Sequence, residues 1–191
     1  MSLPTDLTLL TPRLCLRQPY AADVPPIFAA TRVPGFNDGM TWDPPPDEGP
    51  LYDHLDTILA RWQRGEAYVF SITDRAQGTL LGRISIRRLT GATPSVWDVG
   101  AFTLPQHQGQ GIMSEALRAV LAFGFEQLQA TRIEACHARW NQASERVLRK
   151  QGFRFVRYVQ HGFQKNGQWV AENLLALDRA TWQQGLDQPE S

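Results

Sequence analysis

Two glycines stand one residue apart in Gln106-His107-Gln108-Gly109-Gln110-Gly111, directly before an amphipathic run that opens at Ile112. Glycine loses more conformational freedom on folding than any other residue, so a pair of them at a helix start needs a chemical reason. A helix N-terminus supplies one. Its first N–H groups have no partner inside the helix, and they carry the positive end of the helix dipole, about half an elementary charge. Backbone without Cβ atoms lets a phosphate sit directly on those groups. The pattern is not the dinucleotide G-x-G-x-x-G, because Ser114 stands three residues beyond Gly111. It is not a P-loop either, since no Gly-Lys-Ser/Thr follows.

Other reactive side chains are sparse. Cys136 and His137 are neighbours in TRIEACHAR, and adjacent residues on a strand point to opposite faces, so they cannot form a nucleophile–base pair. Cys15 and Cys136 are the only cysteines, without metal-ligand spacing, so neither a disulfide framework nor a metal site is expected. Lys+Arg and Asp+Glu balance at 19 each, which removes the bulk attraction to nucleic acid. No run of 18 or more apolar residues exists, so no membrane-spanning helix is expected. The start, MSLPTDLTLLTPRL, lacks the pattern of a signal peptide, and a reducing cytoplasm is the expected location.

The surrounding elements follow from periodicity. Residues 7–17 alternate as a strand, with Pro12 near its start. Residues 21–31 read as a short helix, with Asp23 before Pro25 marking its beginning. Residues 33–50, rich in Pro, Gly and Asp, read as a long loop. Residues 51–64 carry a helical face of Leu51, Leu55, Ile58, Leu59 and Trp62. EAYVFSIT and TLLGRISIRRL form a hairpin, the latter with Leu80, Gly82, Ile84 and Ile86 on one face. SVWDVGAFTL is a strand leading into a helix over roughly 110–128, whose stripe is Met113, Leu117, Val120, Leu121, Gly124 and Leu128. TRIEACHAR (strand), NQASERVLRKQ (helix) and two strands joined by KNGQ complete the order, and residues 182–191 read as a frayed tail. The order β-α-α-β-β-β-α-β-α-β-β, without repeat or linker, indicates one α/β domain over 1–191 with a mixed sheet.

Two motifs in this order resemble a known family. Gln106-x-x-Gly109-x-Gly111, at a strand end and opening a helix, resembles the acyl-CoA loop of the GNAT superfamily of N-acetyltransferases. Downstream, NQASERVLRKQGF resembles the Asn-x-x-Ser-x-x-x-Leu-x-x-x-Gly-Phe stretch of its ribosomal-protein N-terminal (RimJ/RimL-like) branch, as does the opening TPRLCLRQPYAAD. The resemblance implies the GNAT acyl-CoA N-acyltransferase fold: a mixed, mostly antiparallel twisted sheet flanked by helices and split where CoA inserts. It implies acetyl-CoA as cosubstrate, with Gln106 and the backbone of Gln108, Gly109, Gln110, Gly111, Ile112 and Met113 cradling the pyrophosphate. Phe102, Thr103 and Leu104 would pair with the pantetheine amides like an added strand. Asn141 reads as a helix N-cap; by resemblance it also contacts the pantetheine arm. Ser144 would stand near the CoA sulfur and donate to the leaving thiolate. Leu148 occupies the position of the tyrosine acid found in many GNAT enzymes, which shifts weight to Ser144 or water.

The reaction implied is direct attack of an amine on the thioester in a ternary complex. Asp98 is the expected general base, with Glu134, His137 and His161 as alternatives; on one strand Glu134 and His137 face opposite ways. The acceptor is expected to be a protein or peptide N-terminal α-amino group. A small amine (drug, polyamine or amino acid) is the alternative, and a non-catalytic acyl-CoA binder a further one. Phe36, Asp38, Trp42, Asp43, Asp47 and Glu48 could form an acceptor wall in the 33–50 loop. The resemblance also brings homodimers, common in the branch, into view.

Overall fold

A computed structural model of the chain describes residues 3–89, 91 and 95–186. The alternation at the start breaks at Thr11-Pro12-Arg13. Leu9–Leu10 (β1) turns back onto Leu14–Arg17 (β2), the Thr11 hydroxyl accepting the Leu14 N–H at 2.9 Å. A 3-10 turn at Ala21–Asp23 then runs into Val24–Thr31 (α1). Asp23 does not cap α1 through its side chain. Its carboxylate instead reaches Arg17 and Ser71, because a buried anion gains more from a guanidinium than from one amide.

After the long loop come Gly49–Gln63 (α2), Ala67–Asp74 (β3), Leu80–Arg88 (β4) and Val96–Thr103 (β5). Ile112–Ala122 (α3), Arg132–Ala138 (β6), Gln142–Lys150 (α4), Arg154–Lys165 (β7) and Gln168–Asp178 (β8) follow. Arg179–Leu186 (α5) closes the described chain. Residues 182–186, expected to fray, are helical because Trp182 stacks on Phe125 with ring centroids 5.0 Å apart; the rest of that tail lies outside the described residues. Among the described residues eight strands form one sheet in the order β1-β2-β3-β4-β5-β6-β8-β7, with the β5–β6 pair alone parallel. Among the described residues no helix is long and apolar enough to cross a membrane.

One sheet face carries the main core, with Leu14, Leu16, Phe70, Ile72, Ile84, Ile86, Val99, Ile133 and Leu175 packed against Ala116, Leu117, Val120 and Leu121 of α3. The expected grouping of Leu80 with Ile84 is corrected. A bulge between Ile72 and Thr73 inserts Leu81 as the extra residue of β4. Leu81 therefore joins the main core, and Leu80 joins a small cluster with Ile27, Ala30 and Leu104. The helix expected to run to 128 changes to a π-turn at Phe123–Gln127. Gly124 sits there because a Cβ would come within 2.8 Å of both Ile86 Cδ1 and Ile133 Cδ1.

Candidate active site

β5 and β6 start side by side and then part. Their register runs Val96↔Arg132, Trp97↔Ile133 and Asp98↔Glu134, and stops. Beyond it β5 continues to Thr103 beside β4, while β6 continues to Ala138 beside β8. The sheet thus opens into a V with Asp98 and Glu134 at its base. The Leu104 N–H donates to Leu81 O at 2.8 Å, and its carbonyl accepts the His107 N–H at 2.9 Å. Both backbone groups of Leu104 are committed, so the expectation that Leu104 pairs with a ligand amide is corrected. In an antiparallel ladder the direction of the bonds alternates residue by residue. Phe102 therefore turns its backbone groups to β4 like Leu104, and Ala101 and Thr103 turn theirs to the opening. Ala101 escaped the sequence reading because nothing in its side chain announces a backbone role.

At the far end of β5 the glycine loop leads into α3. Gly109 and Gly111 have φ of 75° and 76°, in the left-handed region where only glycine is unstrained. A Cβ at Gly109 would meet nothing within 4 Å, and one at Gly111 would meet only Arg13 Nη2 at 3.5 Å. Packing does not require these glycines; the backbone conformation and an open side do. Gly111 is the N-cap of α3 and offers no side-chain cap to its first N–H groups. Gln106, Gln108 and Gln110 are exposed, Ile112 is buried in the core, and Met113 packs partly against it. The Gln108 side chain donates to Thr103 O, and that of Gln110 to Gln106 O, both at 3.3 Å. A brace unseen in the sequence holds the loop: Arg13 Nη1 donates to Gln110 O at 3.2 Å, and Arg13 Nε pairs with Glu115 at 2.6 Å. Its partners lie about a hundred residues away in the chain, beyond any local spacing rule.

α4 flanks the other arm. Asn141 is its N-cap and accepts the Ser144 N–H at 3.0 Å, as its type predicts. Ser144 is half-buried in the first turn. Gly152, with φ 87°, closes the helix end as expected, with the Phe153 N–H donating to Leu148 O at 3.2 Å.

The sheet face opposite the main core carries the titratable groups. Asp98 accepts Arg87 Nε at 2.7 Å. Burial nevertheless raises its pKa, with Arg87 opposing and Glu134 adding to the rise. Glu172 on β8, which the sequence reading missed, is raised too, by burial and then by Asp98, with His137 opposing. Its carboxyl carbon would lie 2.7 Å from a Cβ at Gly162, so that glycine makes room for it. Glu134 accepts Arg132 Nε at 3.0 Å. The Cys136 thiol is pushed up to about 12 by desolvation and then by Glu172, Asp98 and Glu134, which removes it as a nucleophile. His137 follows Ile133 and Ala135 on the other face, where it is buried, its Nδ1 2.9 Å from Ala138 O. His161 is exposed beside Trp169.

The long loop crosses the mouth of the V. Phe36 and Trp42 pack on Phe102 of β5, at 5.5 and 6.4 Å between centroids. Gly39 faces Trp140 and Asn141, where a Cβ would be 3.4 and 3.3 Å away. Lys165 Nζ donates to Trp42 O at 2.7 Å and pairs with Asp43 at 2.9 Å. Several of the expected wall carboxylates are engaged locally: Asp43 with Lys165, Asp47 with the Gly49 N–H, and Glu48 with the Tyr52 hydroxyl. Asp38 is exposed.

A split sheet, a glycine loop at a helix N-terminus and a capped helix across the opening define an acyltransferase-type site. Residues 13–154 match the family model described as an acetyltransferase (GNAT) domain, and the chain belongs to that family. It is 32% identical over 117 residues to a Bacillus subtilis (strain 168) protein named "Probable N-acetyltransferase YjcK", covering 61% of this chain and 65% of that relative, just under two thirds of its length. It is 26% identical over 149 residues to the ribosomal protein uS5-alanine N-acetyltransferase of Escherichia coli (strain K12), covering 75% and 77%. The fold matches the solved structure of RimL, a ribosomal L7/L12 alpha-N-protein acetyltransferase in complex with coenzyme A, with a TM-score of 0.79 at 22% identity over 90% of this chain and 98% of that one.

Proposed function

We propose that this chain moves an acetyl group from acetyl-CoA to a primary amine, and that the amine is the N-terminal α-amino group of a protein or peptide. The observation that carries the reading is the junction of two features. β5 loses its β6 neighbour after Asp98, and the same strand delivers the chain to an uncapped helix N-terminus through two left-handed glycines. One feature offers free backbone groups to an extended amide-bearing arm, the other a positive cradle to its phosphates. Family membership, a relative named as a ribosomal protein uS5-alanine N-acetyltransferase and a solved neighbour named as an alpha-N-protein acetyltransferase support the acceptor class.

In this reading the backbone of Gln108 to Met113 holds the pyrophosphate, with Gln106 and the Arg13 brace fixing the loop. Thr103 and Ala101 bind the pantetheine amides, Asn141 orders the first turn of α4, and Ser144 donates to the leaving thiolate. Backbone N–H groups at the open edge of β5 stabilise the developing oxyanion. Asp98 takes the proton from the attacking amine, directly or through water, and Glu172 is the second carboxylate placed to do so. An α-amino group, with pKa near 8, needs little help at neutral pH, whereas a lysine near 10.4 needs about 2.4 units more, about 3.3 kcal/mol. A carboxylate raised by burial suits the first task better.

Incubation with isotopically labelled acetyl-CoA and a mixture of peptides and small amines, read by mass spectrometry, tests the reading. Label on peptide α-amino groups is expected. Label confined to polyamines or drug-like amines would move the acceptor to small molecules, and no labelled product would leave a non-catalytic acyl-CoA binder. Gly109→Val and Gly111→Val should each abolish acetyl-CoA binding while the circular dichroism spectrum is retained. Normal binding by either variant would sink the cradle.

A further inference from the structure

On the face opposite the main core, Arg17 of β2, Ser71 of β3, Arg83 of β4 and Phe102 of β5 stand side by side in successive register pairs. This row holds two cations and is served by one anion. Asp23 gives its two carboxylate oxygens to Arg17 at 2.7 and 2.8 Å, accepts the Ser71 hydroxyl at 2.6 Å and the Tyr20 N–H at 3.1 Å, and has little capacity left. Arg17 and Asp23 therefore neutralise each other. Arg83 does not share in this. Among the described residues no carboxylate lies within ion-pairing distance of its guanidinium, and its Nε is buried without an acceptor. Asp23 favours its charge from beyond ion-pairing distance, but Arg17 opposes it and holds both carboxylate oxygens. Arg17 is a cation, and His54 of α2 is held below the usual imidazole range by burial, by Arg83 and by Arg61.

A half-buried guanidinium with its Nε out of solvent does not escape this by losing its proton. Burial lowers the Arg83 pKa only to about 10, so it stays charged at neutral pH. Desolvating a cation without a partner costs several kcal/mol, and such a group persists where a ligand supplies the counter-charge. The position indicates which ligand. Arg83 is the cross-strand neighbour of Phe102, on which the loop residues Phe36 and Trp42 pack. The next loop residue, Asn37, is buried with its Oδ1 lacking a donor. Arg83 thus adjoins the aromatic wall at the mouth of the V, on the face that carries Asp98 and Glu172.

We propose that Arg83 is a specificity residue of the acceptor site: the amine acceptor carries a carboxylate that pairs with the Arg83 guanidinium while its apolar part packs on Phe102, Phe36 and Trp42. The inference rests on the acetyl-transfer reading above and narrows its substrate class. The fork of a guanidinium matches a planar carboxylate bidentately. One unpaired positive charge balances a monoanion, whereas a phosphate dianion would call for a second free cation. The carboxylate has two sources, the α-carboxylate of a free amino acid or an acidic side chain close behind a peptide N-terminus.

The test uses matched acceptors with wild type and with Arg83→Gln and Arg83→Met. One arm compares free amino acids with their amides. The other compares tetrapeptides bearing Asp or Glu at the second or third position with their Asn or Gln counterparts. Wild type should favour the carboxylate member of the responding arm at least tenfold in kcat/KM, and both variants should bring that ratio near one with the acetyl-CoA Kd unchanged. Removing an unpaired buried charge should leave the Tm of Arg83→Met equal to or above wild type. Equal use of both members by wild type, a ratio that survives in Arg83→Met, or a lowered Tm for that variant would each overturn the proposal. A binding arm separates it from the transfer reading: N-acetylglycine, but not N-acetylglycinamide, should raise the Tm of wild type and not of Arg83→Met. Absence of that shift would overturn the Arg83 role, whereas the shift without turnover on any acceptor would count against acetyl transfer alone.

Discussion

Asp98 and Asp23 are both shielded aspartates beside an arginine, yet their pKa values move in opposite directions. Asp23 receives two bonds from Arg17, one from Ser71 and one from a backbone N–H, and together these outweigh burial and lower its pKa. Asp98 has one bond from an Arg87 whose side chain is 55% exposed, so burial prevails and raises it. The surroundings of the first favour its charged form, and those of the second its protonated form. Asp98→Asn should lower kcat about a hundredfold, within the usual range for general acid–base catalysis, with acetyl-CoA affinity retained. Because the folded state binds the Asp98 proton more tightly, wild-type stability relative to this variant should rise as pH falls through the raised pKa. Unchanged turnover would pass the base role to Glu172, where Glu172→Gln is the matching variant. Asp23→Asn leaves Arg17 short of its partner and should cost about 3 kcal/mol in urea unfolding. That loss should be full above the ordinary carboxylate pKa of 3.8 and fade as pH falls through the lowered folded value. A constant difference down to strongly acid pH would mean that packing, not the ion pair, carries it.

At the scale of elements, the sequence revealed what depends on local periodicity. The hairpin of β3 and β4, the helix after the glycine loop, the Asn141 cap and the Asn166-Gly167 turn each follow from a pattern within a few residues. It concealed what depends on contacts across the sheet. The extra residue Leu81 exchanges the faces of Leu80 and Leu81, and no alternation rule contains it. The π-turn follows from two isoleucines pressing on Gly124 from β4 and β6, far from it in the chain. Asp23 beside a proline resembles a cap until Arg17 is placed next to it. The site divides the same way: the glycine loop and α4 could be read, whereas Arg13 and Lys165 act through distant partners, and Arg83 and Glu172 are brought beside their neighbours only by the sheet register. Gly82 belongs to this second class. A Cβ there would collide with the Phe102 carbonyl and reach Thr103 Cα at 3.0 Å, so β4 and β5 approach closely just where β5 leads to the glycine loop. Gly82→Ala should displace that end of β5, weaken acetyl-CoA binding by isothermal titration and cost about 1–3 kcal/mol of stability. Wild-type affinity in this variant would show that the open edge tolerates the shift.

At the scale of the whole molecule, the residue 32–48 segment touches both arms of the V and the distal hairpin. Phe36 and Trp42 rest on β5, Gly39 on the β6–α4 corner, and Lys165 of β7 grips Met40, Trp42 and Asp43. Three contacts from one ammonium, at 2.7, 2.9 and 3.3 Å with the Lys165 side chain only 11% exposed, make it the latch. Two of them are charge-assisted bonds to backbone carbonyls, which lose little to salt and are not replaced by a neighbouring side chain. Acceptor affinity depends on the fraction of molecules in which the loop is seated, because binding to a seated loop is weakened in proportion when that fraction falls. If Lys165→Met leaves about a tenth of the molecules seated, the acceptor KM rises about tenfold, equivalent to about 1.4 kcal/mol, well within what such bonds supply. The glycine loop leaves the same end of β5 on which Phe36 and Trp42 pack, but α3 lies on the opposite sheet face and neither is bonded to Lys165, so the acetyl-CoA KM should stay within twofold. Deleting residues 37–47 should widen the same split. A parallel rise in both KM values would show that the segment supports the fold of the V as a whole and does not act as an acceptor-side strap.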